Sequence, residues 1–234
     1  MNNNTLLIKL KQRLNKLDSQ DYDNIECWQF IEAFNKAQIE WCRRNLHGGN
    51  MYKEGDELSK RRIDDLQPLL REISLTGTST DTYFESDNFP ITNYLEYKRV
   101  STDAKTECCP ARDMTVYLAE EANVPLLLRD PLKYPDFEWG ETFCTMLNNT
   151  IRIYRNTDFT IVNPVLTYYR QPVYIEILNC VDPYTGDISL TNVDCEFKDD
   201  VAELMLDDAA SIIAGDIENS YQQQRGQAAA ERNN

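Results

Sequence analysis

Proline and tyrosine are concentrated in the middle of this 234-residue chain, and their placement limits the folds open to it. Eight of the nine prolines and ten of the thirteen tyrosines lie between residues 83 and 184. Proline interrupts helices and aromatic side chains favour strands, so this segment is expected to form strands joined by tight loops. The flanking segments carry apolar residues at helical spacing. The sequence therefore predicts an α+β fold in which helices at both ends bracket a β-rich insertion.

Two amphipathic helices are predicted near the start of the chain. Leucines from Thr5 to Leu17 share one face, and lysine and arginine fill the opposite face. Asp21 or Asp23 can cap the second helix, which is expected to end at Gly48-Gly49. The apolar face of the second helix consists of Ile25, Trp28, Ile31, Phe34 and Cys42.

A third helical stretch is predicted from Glu54 to Ile73, although Pro68 should kink or end it. With the first two helices it gives a helical part over residues 1–74. A last apolar stripe from Val201 to Ile217 predicts a C-terminal helix within residues 194–220. We expect the N- and C-terminal helices to form a helical bundle that carries the β-rich segment as an insertion.

The insertion is predicted to span residues 75–193 and to form an antiparallel sheet. β-branched and aromatic residues alternate in four of its segments. The polar link Asn156-Thr157-Asp158 is expected to join two strands, whereas Pro125, Pro131 and Pro135 divide residues 103–148 into pieces too short to classify. The four predicted strands are Tyr94–Val100, Thr150–Arg155, Phe159–Val165 and Val173–Leu178.

Acidic residues outnumber basic ones by 39 to 24, which gives a net charge of −15, and the whole excess follows residue 74. Binding to nucleic acid depends on lysine and arginine neutralising phosphates, so DNA is expected to be repelled and not specifically bound. The sequence contains neither an apolar run long enough to span a membrane nor a secretory signal. A soluble protein made in a cytoplasm, with no membrane partner, is therefore expected.

The sequence carries few features of a catalytic or metal site. Its seven cysteines show no C-x-x-C spacing and His47 is the single histidine, so reduced thiols and no zinc site are expected. No phosphate-binding loop is present, and His47 is expected to lie at a helix end. We predict no enzyme activity, catalytic residue, metal or cofactor. Four pairs of adjacent carboxylates are interpreted as solvated faces: Asp64-Asp65, Glu120-Glu121, Asp199-Asp200 and Asp207-Asp208.

The chain ends in a polar extension over residues 221–234, rich in glutamine and alanine and with little to bury. Such a segment is expected to order only on a partner. A tyrosine and arginines within it are residue types common at interface hot spots.

Three segments resemble the head-to-tail connector proteins of short-tailed bacteriophages, and most resemble the ring proteins in the neck of crAss-like phages. They are the helical Phe34-Asn35-Lys36-Ala37-Gln38-Ile39-Glu40-Trp41, the β segment Leu166-Thr167-Tyr168-Tyr169-Arg170-Gln171-Pro172, and the ending from Phe197 to Gln224. The likeness lies in patterns of helix and strand and covers most of the chain.

The resemblance implies a structural virion protein that forms an adaptor ring, typically dodecameric, under the portal. Such a ring continues the DNA channel toward the tail, is assembled in the host cytoplasm, and contacts neighbouring copies and the tail or further ring proteins. It also implies that the C-terminal segment, here Asp216–Asn234, extends against the portal. The portal-binding residues expected there are Tyr221, Gln222, Gln223, Gln224, Arg225 and Arg232. The alternative is a non-enzymatic assembly chaperone or a host-interaction module.

Overall fold

A computed structural model describes residues 1–15, 25–46, 64–89 and 91–216. The described residues form two compact units. Residues within Met1–Pro68 and Pro172–Asn234 belong to the first unit, and Leu69–Gln171 form the second. We describe each unit by itself.

The second unit is an eight-stranded mixed sheet that curls into a half-barrel. Its strand order is β1-β8-β4-β5-β6-β7-β3-β2. A four-residue helix, α3 (Val124–Leu127), lies between β5 and β6 in the chain. The strands are β1 (Leu70–Ser74), β2 (Gly77–Ser79), β3 (Tyr83–Ser86), β4 (Tyr94–Lys105), β5 (Arg112–Leu118), β6 (Glu141–Leu147), β7 (Thr150–Tyr154) and β8 (Thr160–Arg170).

All neighbouring strands pair antiparallel except β5 and β6, which run parallel. The long pair β4–β8 has register shifts between Tyr94 and Glu96, Tyr97 and Arg99, and Ser101 and Asp103. Each irregularity inserts an unpaired residue and increases the local twist of the strands. These bulges contribute to the curl of the sheet on the side of β4 and β8.

One face of the sheet is apolar because side chains alternate along the strands. In β7, Ile151 and Ile153 are fully buried, and they pack with Val100 of β4 and Leu166 of β8. A separate small cluster contains Ala104, Met114 and Phe159. The alternation over Thr150–Arg155 and Phe159–Val165 therefore predicts β7 and the first half of β8, and both predictions are confirmed.

Both edges of the sheet are poor templates for another strand. At one edge, β2 has three residues, and all of them are exposed. At the other edge, β1 presents the charged side chains of Arg71 and Glu72 to solvent. Short or charged edge strands discourage pairing with a further chain.

The described helices of the first unit are α1 (Asn3–Asn15), α2 (Cys27–Leu46) and α4 (Asp199–Asp216). The apolar face of α4 packs against both α1 and α2. Leu6 and Leu10 of α1 and Phe30 and Phe34 of α2 are fully buried. The helices predicted from the leucine repeat, from the second apolar face and from the C-terminal stripe are confirmed within the described residues.

The predicted fold class, a helical bundle with a β-rich insertion, is wrong. The structure is mainly the curled mixed sheet, with few short helices. The sheet is also not purely antiparallel, because the crossover between β5 and β6 makes one parallel pair.

Two local predictions are also wrong. The third helical stretch does not reach Ile73, because a 3₁₀ turn follows at Gln67–Leu69 and residues 70–74 form β1; residues 47–63 lie outside the described part. Val173–Leu178 is not a strand, and only Glu176 makes an isolated bridge, to Val193. The link Asn156-Thr157-Asp158 does join two strands, β7 and β8, as predicted, although these strands do not pair with each other.

The expectation that every cysteine is a reduced thiol is wrong as well. Cys27 at the start of α2 forms a disulfide with Cys180, 153 residues later in the chain. Cys42, Cys108, Cys109, Cys144 and Cys195 are free thiols. Within the described ranges, no helix is long and apolar enough to cross a membrane.

Candidate functional site

The parallel pair β5–β6 creates a pocket on the second unit. Parallel neighbours need a crossover connection, and here residues 119–140 provide it. This connection contains α3 and a loop that folds back on itself. Between the connection and the strands lies a pocket of about 300 Å³. Side chains that line it include Leu127, Leu132, Tyr117, Trp139 and Phe143.

The crossover loop is held by its own hydrogen bonds. The Asp130 carbonyl accepts from the N–H groups of Lys133 and Tyr134 at 3.1 and 2.9 Å, and its carboxylate accepts from the Leu132 N–H at 3.0 Å. The Asp136 carboxylate accepts from the Trp139 N–H at 3.0 Å. Aspartates that bond backbone groups two or three residues ahead stabilise turns. The loop therefore has a defined conformation although it lies at the surface.

Trp139 is 70% exposed although its backbone is fixed on both sides. Arg112 of β5 donates to the Glu138 carbonyl at 2.8 Å, just before the indole. Gly140 follows with a φ of +67°, which a residue without a Cβ adopts readily, and its carbonyl accepts from the Thr115 N–H at 2.8 Å. A large aromatic side chain presented by a fixed backbone is a feature of interface anchors.

The floor of the pocket is rigid and its rim is apolar. Phe143 is buried and stacks on Tyr154 with ring centroids 4.6 Å apart. On the rim, Leu132 is 77% exposed. Isolated exposed apolar residues are ordinary, but a cluster around a concavity marks a binding surface. We call this set, Tyr117, Leu118, Leu127, Leu132, Tyr134, Trp139 and Phe143, the crossover pocket.

Three polar side chains of the pocket lining, Tyr117, Asp136 and Glu141, are already paired within it. The Tyr117 hydroxyl donates to the Glu141 carboxylate at 3.3 Å. The negative charge of Glu141 raises the pKa of the Tyr117 hydroxyl, so that hydroxyl remains a neutral donor at physiological pH. Asp136 is occupied by the Trp139 N–H. What remains open for a partner is mainly apolar surface.

A second exposed apolar surface lies on the first unit, in residues 176–193. This segment folds back on itself through the isolated bridges Glu176–Val193 and Val181–Ile188. A turn at 182–186 closes it, with the Gly186 N–H donating to the Asp182 carbonyl at 2.9 Å. We call it the 176–193 loop.

The root of the 176–193 loop is attached to α2. Cys180 is joined to Cys27 by the disulfide. Just before the loop, Ile175 is fully buried, and its N–H donates to the Asn35 side-chain oxygen at 2.9 Å. Inside the loop, the Glu176 carboxylate accepts from the hydroxyls of Ser189 and Thr191 at 2.7 and 2.8 Å. These bonds give the loop a fixed base.

The outer side of the 176–193 loop is apolar. Leu190 is 84% exposed and Ile188 is 60% exposed. Tyr184 stacks on Tyr174 with centroids 4.8 Å apart, and burial raises the pKa of Tyr184 to about 12. The remaining large apolar side chains exposed on this loop are Leu178 and Val181.

The portal-binding residues predicted from the sequence lie outside the described residues, as does His47. Of the carboxylate pairs, Asp64-Asp65 contacts Lys198, and Glu121 of Glu120-Glu121 lies 3.9 Å from Arg152. In the other two carboxylate pairs, the Met1 amino group contacts Asp199, Arg13 contacts Asp207 and Arg44 contacts Asp208. No group of three or more His, Cys, Asp or Glu side chains within the described ranges could hold a metal.

Sequence reasoning missed both apolar surfaces. Leu132 lies between Pro131 and Pro135, and Trp139 follows four residues after Pro135, so the segment is too interrupted to show a helical or strand period. A signal was nonetheless present, because large apolar residues scattered between closely spaced prolines cannot share one face of a helix or strand. Some of them must therefore remain outside the core.

The sequence matches no protein-family model, and no curated protein is significantly similar to it.

Proposed function

We propose that this chain is a non-enzymatic structural protein of a bacteriophage virion, an adaptor ring that joins the portal vertex to the tail and continues the DNA channel. The observation that carries the proposal is the pair of exposed apolar surfaces described above. The crossover pocket is concave and belongs to one compact unit, and the 176–193 loop belongs to the other. The resemblance to connector proteins gives the proposal its biological setting.

A ring needs two different surfaces on each copy. Heterologous contacts join one patch to a different patch on the next copy, and they generate a ring when the rotation closes. In the proposed contact, Ile188 and Leu190 of one copy enter the crossover pocket of a neighbouring copy. The volume of about 300 Å³ suits a few aliphatic side chains. Trp139 and Leu132 would then lose their contact with water.

The net charge of −15 supports the same function in two ways. Acidic side chains that face the channel would repel DNA phosphates, so DNA passes without binding. The same charge opposes association of free copies. We therefore expect a mostly monomeric free protein that assembles on the portal, with the C-terminal segment as the portal-binding element.

Two charge-introducing variants test the ring contact. Trp139→Glu changes the crossover pocket, and Leu190→Glu changes the 176–193 loop; each should abolish ring formation on purified portal. A mixture of the two variants has one intact pocket and one intact loop, so chemical cross-linking should capture dimers in the mixture and only monomers with either variant alone. Ile8→Glu, at an exposed position of α1, is the matched control and should assemble normally.

Rings formed by both variants would overturn the proposed contact. The adaptor function itself is tested by quantitative mass spectrometry of finished particles, in which the chain should be present at a fixed ratio to portal. Absence from finished particles would instead support an assembly chaperone or a host-interaction module.

A further inference from the structure

Cys108 and Cys109 are the exposed free thiols of the chain, and they are neighbours in the connection between β4 and β5. Their sulfur atoms lie 3.3 Å apart. All seven cysteines belong to the described residues, and the other free thiols, Cys42, Cys144 and Cys195, are buried. Cys108 and Cys109 therefore differ from the other free cysteines in being exposed to solvent and close enough to each other to react.

The surroundings of Cys108 favour its thiolate. The Thr106 hydroxyl lies 3.6 Å from the Cys108 sulfur. Hydrogen bonds from Thr106 and from Cys109 lower the pKa of Cys108. Burial has the opposite effect elsewhere, since it raises the pKa of Cys144 to about 11 and that of Cys42 to about 12. The thiolate is the nucleophile in disulfide exchange, so Cys108 is the expected point of attack.

We propose that Cys108 and Cys109 form a thiol–disulfide exchange site that reacts with small-molecule disulfides. The Cys108 thiolate attacks one sulfur of the small disulfide; that S–S bond breaks, a mixed disulfide forms, and the released thiolate takes up a proton. Cys109 then loses its proton, attacks the Cys108 sulfur and expels the second small thiol. The protein loses two electrons and two protons, which the small disulfide gains.

The geometry favours a readily reversible bond. Forming the Cys108–Cys109 disulfide requires the two sulfur atoms to approach from 3.3 Å to about 2.0 Å. Adjacent Cα atoms are about 3.8 Å apart, closer than in an ordinary disulfide, and strained disulfides are reduced more easily. The pair is thus suited to respond to the redox state of its surroundings. This inference does not rest on the proposed virion function.

The test uses the full chain, oxidised glutathione as the small disulfide, and intact-mass measurement. The wild type should lose the mass of two hydrogens, and peptide mapping should place the new bond between Cys108 and Cys109. Cys109→Ser should gain one glutathione and keep it, because no second thiol resolves the mixed disulfide. Cys108→Ser should react with glutathione at least about threefold more slowly than Cys109→Ser, since Cys109 lacks the Thr106 contact.

The buried Cys42, Cys144 and Cys195 serve as internal controls and should remain unmodified in the same digest. Thr106→Val in the Cys109→Ser background should slow glutathione addition while the circular dichroism spectrum stays unchanged. A wild type that keeps its original mass would overturn the proposal. Stable addition of two glutathiones without a Cys108–Cys109 disulfide would also overturn it. Equal rates of glutathione addition to Cys108→Ser and Cys109→Ser would do the same.

Discussion

The side-chain oxygen of Asn35 accepts a hydrogen bond of 2.9 Å from the N–H of Ile175, a residue 140 positions further along the chain. Both residues are fully buried. The Asn35 amide nitrogen in turn donates to the Ile175 carbonyl at 3.4 Å. One side chain thus satisfies both polar groups of a buried backbone position, which would otherwise remain unpaired away from water.

Asn35→Ala should lower the free energy of unfolding by about 1–3 kcal/mol, because it leaves buried backbone donors and acceptors without partners. Urea unfolding followed by circular dichroism measures the change. Asn45→Ala is the matched control on the same helix. The Asn45 amide donates to the Trp41 carbonyl and is only half-buried. Asn45→Ala should therefore lower the free energy of unfolding by no more than about 0.5 kcal/mol. Equal losses for the two variants would contradict the role of Asn35.

Glu203→Gln should make stability less dependent on pH. Burial acts to raise the pKa of Glu203, but hydrogen bonds from Lys9 and Arg13 outweigh it, and the pKa is lowered from 4.5. A carboxyl with a lowered pKa in the folded state stabilises the fold above its unfolded pKa, and this contribution is lost as pH falls through the folded pKa. At pH 7 the variant should be less stable by about 0.5–1 kcal/mol.

Urea unfolding between pH 7 and pH 3 measures this difference in the free energy of unfolding, which should shrink as the pH falls. Glu32→Gln, at an exposed position of α2, should change stability by no more than about 0.5 kcal/mol. A difference between wild type and Glu203→Gln that stays constant across this range would rule out the assigned ion pairs.

Replacing both Cys27 and Cys180 by serine should lower the free energy of unfolding by about 2–5 kcal/mol, because the disulfide restrains a long loop of the unfolded chain. The two residues are 153 positions apart. Dithiothreitol should destabilise the wild type by a similar amount and leave the double variant unchanged. Cys108→Ser, at an exposed thiol, is the control and should have little effect. An unreduced wild type whose intact mass equals that of the reduced form would disprove the disulfide.

Deleting Tyr221–Asn234 should leave thermal unfolding nearly unchanged and abolish association with portal, since this segment has little apolar surface of its own to bury. Single changes Tyr221→Ala and Arg225→Ala should each weaken portal binding by about 1–2 kcal/mol. Binding to immobilised portal measures these losses, with Gln227→Ala as the control. A truncated protein that still joins portals would remove the C-terminal segment from the mechanism.

The parts of the fold that can be predicted from the sequence are those with one buried face. The leucine repeat of α1 and the alternation of β7 each follow from burial on one side, as the buried Leu6, Leu10, Ile151 and Ile153 show. The parallel pair β5–β6 could not be predicted, because its crossover contains a helix of four residues, too short to show a period.

Other errors arise where a long-range contact replaces local structure. Alternation from Val173 to Leu178 predicts a strand, but Ile175 bonds to Asn35 and Cys180 to Cys27. Neither partner can be identified from spacing, since each is more than 100 residues away. Of the candidate site, the sequence indicates the polar end segment but not the crossover pocket, whose residues meet only when the crossover folds.

The two edge strands of the sheet, β2 with three residues and the charged β1, reduce the tendency of this chain to aggregate at high concentration. Backbone pairing at an open edge has no natural end point, and it leads from soluble chains to fibrils. Within the described part of the chain, both edges of the sheet discourage that route, so copies are expected to meet through side chains. A high local concentration of the chain should therefore give assemblies of limited size that dissociate on dilution.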